Sequence, residues 1–372
     1  MRVVVTGQVG MDKQAYLEGV RSLCEQMGRK VSLFNIGERM YREAPDVPEG
    51  RILDLPLSRL IALRRGVFKD LLNEARSVDN IIVNTHATFR WRHGLFYAFD
   101  YDMMKAFNAD LYVALVDNID RIHARLLRDG HTDHTLKDLM VWREEEILAT
   151  ELLSQIVRGH GCFYVVSRGI EESTADSLAR LMFSGHSKKA YLSFPMSHLT
   201  ANGQIQLIKQ FRREMKRHFV CFDPGDLEEK ALGPLALTAA REGHKFVTLE
   251  VDGKGLRIET AEILAILSDI DGQIYARDFK LIDQADMIVS LIPQIRLADG
   301  REAPAISSGV ERELQHAHEA AKDVFVIWLA QATPSPFITE TATQVFTSVP
   351  AALEYWHKNG YMPSAPTGGL FA

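Results

Sequence analysis

The sequence predicts an α/β protein of two three-layer domains with mainly parallel sheets. Three observations predict it. Short β-branched runs alternate with longer stretches of helical periodicity through almost the whole chain, the imprint of parallel strands joined by crossover helices. The alternation is interrupted by a polar stretch, S-G-H-S-K-K at 184–189, and then begins again. At 372 residues, 46% of them hydrophobic, the chain is too long for one ordinary core and comfortable for two.

In the first half, V-V-V-T (3–6), K-V-S-L-F (30–34), N-I-I-V-N (80–84), L-Y-V-A-L-V (111–116) and F-Y-V-V-S (163–167) read as strands. Helical periodicity fills 13–27, 58–77, 119–129 and 135–158. In the second half the expected strands are 190–194, 218–222, 246–250, 287–292 and 324–328, with helices at 202–216, 226–241, 275–284 and 309–321. The domains are therefore expected at 1–183 and 188–360. A Pro- and Gly-rich tail, 361–372, reads as a loose extension or an arm onto a neighbour. The halves share a fold class but no internal repeat.

A net charge of −6 argues against a nucleic-acid partner, whose binding domain would normally be basic. Arg212, Arg213, Lys216 and Arg217 read as a solvated helix face or an anion site. Cys24, Cys162 and Cys221 stand far apart, with neither metal-ligand spacing nor a disulfide framework. No stretch reaches the ~20 apolar residues that cross a bilayer. The opening M-R-V-V-V-T-G reads as a strand and not a signal peptide. These features predict a soluble cytoplasmic protein without a membrane partner or a bound metal.

After the first strand comes G-Q-V-G-M-D-K-Q (7–14), where a phosphate-binding loop would lie. The working pattern, G-x-x-x-x-G-K-[ST], wraps backbone N–H groups around phosphate, with the Lys on the terminal phosphates and the hydroxyl on Mg²⁺. Gly7, Gly10 and Lys13 are in place. Asp12 stands where the second pattern glycine belongs and Gln14 where the metal-binding hydroxyl belongs. An ordinary strand-to-helix turn accounts for these eight residues equally well.

Three further stretches, L-F-N-I-G-E-R-M-Y-R-E-A (33–44), I-I-V-N-T-H-A-T-F-R (81–90) and L-V-D-N-I-D-R-I-H-A-R-L-L-R-D-G (115–130), resemble the archaeal-type adenylate kinases, P-loop nucleoside monophosphate kinases. The resemblance spans about residues 1–180. It implies a P-loop-kinase-like fold, ATP with Mg²⁺ as ligand, and lid arginines at Arg125, Arg128 and Arg143, which could equally be a solvated helix face. Asn84 replaces the acidic residue of the family's D-T-H run. With Asp12 and Gln14, that departure reads as a kinase fold that has lost phosphoryl transfer, still binding nucleotide or serving as a scaffold.

The second half carries paired carboxylates. D-F-K-L-I-D-Q-A-D begins at Asp278 and leads into the strand M-I-V-S-L-I; S-S-G-V-E-R-E-L (307–314) opens the next helix. A carboxylate in the first turn of a helix is expected to stay ionised near the positive dipole end. An ionised carboxylate can attack a sugar carbon while a second carboxyl group protonates or orients the leaving base. The plain alternative is an acidic helix N-terminus. Y-L-S-F-P-M-S-H (191–198), Asp278 eight residues before Asp286, and Ser307, Gly309 and Glu313 in an S-x-G-x-x-x-E helix start resemble the nucleoside 2-deoxyribosyltransferases and the 2′-deoxynucleoside 5′-phosphate N-hydrolases. This resemblance covers about 188–330.

It implies a Rossmann-like domain with Glu313 as nucleophile and Asp278 as the acid that orients the base. Tyr191, Phe194, Ser307 and Gly309 would contact substrate, with Ser307 near a 5′-phosphate. Phe194 departs from the family's glycine and could narrow the pocket, stack on a base or close the site. The long loop 294–308 reads as a flap. Asp283 and Asp286 read as helix-cap or surface residues.

Other candidates have plainer readings. His131, Asp133 and His134 are a metal cluster or a solvated loop. His316 and His318 are core or surface residues. Trp91, with Arg90 and Arg92, stacks on a base or packs. Asp117 and Asp120 start a helix.

The reading that results is an N-glycosidase or deoxyribosyltransferase acting on a nucleoside or nucleotide, with no cofactor required and, by resemblance, a homo-oligomeric assembly. A nucleoside monophosphate kinase or a catalytically silent nucleotide sensor are the alternatives.

Overall fold

The computed structural model describes residues 1–48, 50–91, 94–169, 173–196, 202–297 and 299–362. The chain folds as an α/β protein in two compact units. One comprises Met1–Met182 with Asp226–Gln273, the other Phe183–Gly225 with Ile274–Ala372. The segment 226–273, read from sequence as part of the second domain, thus groups with the first unit.

The first unit is built on a five-stranded sheet in the order Ser32–Asn35, Ile81–Asn84, Arg2–Thr6, Leu111–Val116, Phe163–Ser167. Every pairing is parallel. Leu111–Val116 is buried along its whole length, as expected of a strand covered by helices on both faces. The helices Lys13–Gln26, Leu57–Glu74, Ile119–Arg128 and Leu136–Arg158 lie where periodicity predicts them.

Leu136–Arg158 is the longest of these. It starts from a capping box in which the Asp138 N–H donates to Thr135 Oγ1 and the Thr135 N–H to Asp138 Oδ2, two otherwise orphan donors satisfied at once. Its buried stripe runs through Leu136, Leu139, Met140, Arg143, Glu146, Ile147, Thr150 and Leu153. The spacing is that of a core-facing helix, but Arg143 and Glu146 are charged. Such side chains are not buried without partners, and both have them, as described below.

The second unit has its own five-stranded parallel sheet, ordered Gln344–Phe346, Asp323–Trp328, Met287–Ile292, Lys189–Ser193, Val220–Phe222. Its core gathers Phe219, Phe325, Phe346 and Trp356, with Trp356 meeting Phe219 and Phe325 edge-on at 5.3 and 5.5 Å between ring centroids.

Two strand assignments change. Residues 246–250 do not enter this sheet: Phe246–Val251 pairs antiparallel with Lys254–Glu259 in a separate hairpin. The turn is Asp252-Gly253, both at positive φ (50° and 74°), the two-residue connection whose twist suits a hairpin. Gln344–Phe346 takes the fifth place instead, a three-residue edge strand too short to register as a pattern.

The three cysteines are free. Among the described residues no helix is long and apolar enough to cross a membrane. Ser197, His198, most of the expected tail (363–372), Arg92 and the side chain of Trp91 lie outside the described residues.

Candidate active site

Glu313 sits at the centre of the second unit's polar cluster. Tyr191 and Ser193 are two apart on the strand Lys189–Ser193, so their side chains leave the same face of the sheet. Tyr191 Oη donates to Glu313 Oε1 at 2.9 Å, and Ser193 Oγ donates to Glu313 Oε2 at 2.6 Å. Parallel pairing sets Ser290 opposite Ser193, and Ser290 Oγ donates to Ser193 Oγ at 3.3 Å. The carboxyl group is thus gripped at both oxygens by neutral hydroxyls, one of them backed by a second. Tyr191, Ser193 and Ser290 are fully buried.

Glu313 does not carry the lowered pKa that a first-turn position would give it. The helix is Ser308–Glu319 with Ser307 as N-cap, so the first-turn acid is Glu311 and Glu313 lies two residues further in, in the second turn. The dipole falls off within that first turn, and burial takes over. Desolvation is the largest influence and raises the Glu313 pKa to about 8. The Ser193 hydrogen bond opposes it, the charge of Asp278 adds to it, and the Tyr191 hydrogen bond opposes it. Burial, Glu313 and Asp278 together push the Tyr191 phenol well above its ordinary value. Asp278, on the helix Leu267–Asp283, is buried. Its charge therefore bears on both Glu313 and Tyr191.

The remaining expected site residues are placed as follows. Ser307 Oγ accepts the Val310 N–H at 3.3 Å as the helix cap, a bond that does not use the hydroxyl proton. Gly309 is in the first turn, where an added Cβ would meet Ser307 Oγ at an ordinary 3.6 Å. Phe194 belongs to the core with Leu192, Ile208 and Phe211, under the Arg212 guanidinium at 6.0 Å. Ser193 was not singled out from sequence; the only signal is its period-two spacing from Tyr191. The loop 294–308 is a small hairpin, Gln294–Arg296 against Glu302–Pro304. Asp286 is no site residue: its carboxylate accepts the Lys189 N–H at 2.8 Å and pins the start of the strand. Asp283 pairs with His316 at 2.7 Å.

In the first unit the residues read as a phosphate loop connect the strand Arg2–Thr6 to the helix Lys13–Gln26. Gly7 (φ 139°) and Gly10 (φ 82°) have backbones that favour glycine, and a Cβ on Gly7 would come within 2.8 Å of the Leu115 carbonyl oxygen. Asp12 adopts the left-handed conformation (φ 47°) at the place of the pattern glycine, a geometry Asp tolerates better than most residues.

The three arginines named for the lid each pair with a carboxylate of the chain, Arg125 and Arg143 in the interior and Arg128 at the surface. Arg125 donates to Asp117 Oδ2 at 2.7 Å. Arg128 forks onto Asp12 at 3.0 and 3.2 Å. Arg143 binds Glu229. Asn84 donates to Asn35 Oδ1 at 3.0 Å. His134 meets His123 at 3.1 Å between ring nitrogens, and no group of three or more metal-ligating side chains occurs among the described residues.

No family model matches the chain. Its N-terminal part is similar to adenylate kinases. The Pyrococcus abyssi enzyme is 24% identical over 182 residues, 46% of this chain and 90% of the relative. The Pyrococcus furiosus enzyme is 22% identical over the same length and shares. Solved structures with some likeness include a 2-deoxyribosyltransferase from Bacillus psychrosaccharolyticus (16% identity, 47% of this chain, TM-score 0.28) and a shikimate kinase from Bacteroides thetaiotaomicron (14% identity, 49% of this chain, TM-score 0.34). The match covers 96% of the transferase structure and 98% of the shikimate kinase structure.

Proposed function

We propose that the second unit cleaves the N-glycosidic bond of a nucleoside or nucleotide, with Glu313 as nucleophile. The observation that carries this reading is the Glu313 carboxyl group, held at both oxygens by Tyr191 and Ser193 and sharing its surroundings with Asp278. Glu313 attacks C1′ of the sugar, and the C1′–N bond breaks as the C1′–O bond forms. Asp278 delivers a proton to, or orients, the departing base. Water then opens the glycosyl ester as a hydrolase would, or a second base does so as a transferase would. Ser307 at the helix N-terminus supports a 5′-phosphorylated substrate, because a hydroxyl and free backbone N–H groups suit an anion there. The chemistry needs no cofactor. A homo-oligomer is part of the proposal, by resemblance to the transferases, and light scattering on the purified protein tests it.

The test is to incubate the protein with a panel of nucleosides, ribo- and deoxynucleoside monophosphates, NAD and ATP, with and without Mg²⁺, and to separate free base by chromatography. Free base supports the reading and names the substrate. Its absence across the panel counts against it.

Two predictions follow from the site's geometry. Protonated Glu313 is no nucleophile, so kcat/KM should rise with pH through an apparent pKa of about 8. A flat profile between pH 6 and 9 contradicts the assignment. Ser193→Ala removes a hydrogen bond that favours the ionised form. It should lower kcat/KM at pH 7 by about 10- to 100-fold and move the rising limb to higher pH; a merely structural serine would leave the limb where it is.

A second reading, phosphoryl transfer in the first unit, is supported by the likeness to adenylate kinases. ADP formed from ATP and a nucleoside monophosphate, lost in Lys13→Ala, would favour it. The internal pairing of Arg125, Arg128 and Arg143 weighs against it.

A further inference from the structure

The loop 7–14 reads from sequence as a cradle for a phosphate, and beside it in the structure an anion of the chain itself is bound. Glu146 projects from the buried stripe of the helix Leu136–Arg158 and is 2% exposed. Its Oε1 accepts the Gly7 N–H at 3.2 Å and the Ala87 N–H at 3.1 Å. Its Oε2 accepts the Ala87 N–H at 2.9 Å, the Thr88 N–H at 2.6 Å and the Thr88 hydroxyl at 2.9 Å. Three backbone N–H groups and a hydroxyl therefore converge on one carboxylate.

Lys13 and His86 complete the setting. Lys13 Nζ donates to the Gly7 carbonyl at 2.5 Å and reaches His86 Nδ1 at 3.4 Å. His86 Nδ1 is 3.5 Å from Glu146 Oε1. His86 Nδ1 thus lies between the lysine and the carboxylate. The donors come from two places that the fold brings together: Gly7 follows the strand Arg2–Thr6, and Ala87 and Thr88 follow its sheet neighbour Ile81–Asn84.

Converging backbone N–H groups beside a lysine, at the ends of adjacent parallel strands, are what an oxyanion requires. Carboxylate and phosphate oxygens ask for the same donors. We propose that Gly7, Ala87, Thr88 and Lys13 form an oxyanion site of the phosphate class, that Glu146 is its resident ligand, and that the site, so filled, takes no nucleotide phosphate. The departures at Asp12 and Gln14 then belong with a loop whose anion is supplied internally. This inference concerns the first unit and stands apart from the glycosidase reading.

The experiment measures thermal unfolding of the full chain against inorganic phosphate, with KCl holding ionic strength constant. The wild type should show no saturable response. Glu146→Ala should melt lower than the wild type and recover by a saturable rise of at least about 3 °C at 100-fold over the midpoint; adding Lys13→Met should remove most of that rise. Should Glu146→Ala not fold, Glu146→Ser, which removes the charge and leaves one hydroxyl in the space, replaces it with the same expectation. A folded variant without a saturable response overturns the proposal. So does a wild-type response to phosphate or ATP that Lys13→Met abolishes, since the loop would then be open.

Discussion

Under the proposed function, Glu313→Gln is expected to lower base release by at least about a thousandfold, because it removes the carboxylate that would attack C1′. The same substitution is expected to make the protein more stable at alkaline pH. The folded-state pKa of Glu313 is raised from 4.5 to about 8, so the folded protein holds the proton while the unfolded chain releases it. The stability this contributes is complete below about pH 4.5 and is lost as pH rises through about 8. Glu313 is only half-buried as a residue, and solvent access trims the effect; ~1–3 kcal/mol at pH 8.5 is expected. Glutamine keeps the shape without the charge. Urea unfolding at pH 4.5 and 8.5 should therefore find the variant near wild type at the lower pH and more stable at the higher. Loss of activity with gain of stability separates a chemical role from simple damage to the fold.

Arg143→Ala should be the most destabilising of the substitutions considered in the first unit, by ~3–5 kcal/mol. Arg143 is 3% exposed and Glu229 1%. The guanidinium contacts both Glu229 oxygens, Gln273 Oε1 at 2.6 Å and the Asp117 carbonyl at 3.3 Å. Glu229 also accepts the Ile119 N–H at 3.0 Å. Removing the arginine takes from a buried carboxylate the guanidinium that contacts both its oxygens, which costs far more than losing a surface pair. Replacing both partners by apolar residues, Arg143→Met with Glu229→Leu, should recover much of the loss, because no buried charge is then left alone. Denaturant midpoints for the two single variants and the double variant measure this coupling. A solvated lid arginine would cost under about 1 kcal/mol in the same experiment.

The central strands of the first sheet, Arg2–Thr6, Ile81–Asn84 and Leu111–Val116, were legible because each is a largely continuous apolar run, the form that burial on both faces requires. The hairpin at 246–259 was also written in the chain, as an Asp-Gly pair between alternating residues: Val247, Val251, Leu256 and Ile258 are buried on one face. Its apolar run alone resembles a parallel strand, and only the Asp-Gly turn marks it as a hairpin. Gln344–Phe346 had no such signal at three residues.

The site divides the same way. The spacing of Tyr191, Asp278 and Glu313 was visible, but their electrostatics were not, since the raised pKa of Glu313 comes from burial that only the folded chain provides. Glu146 hides in the run R-E-E-E at 143–146. Only the phase of the helix, set by Leu139, Arg143, Thr150 and Leu153, turns that one glutamate inward.

The central claim is that Glu313 forms a covalent bond to the sugar. The most direct measurement is to react the protein with a 2′-fluorinated arabinonucleoside or its 5′-phosphate, which slows breakdown of a glycosyl ester, and to map the adduct by peptide mass spectrometry. A mass increase of one fluorosugar on the peptide containing Glu313, absent in Glu313→Gln, is the predicted result. An adduct on another residue, or base release that persists in Glu313→Gln, contradicts it.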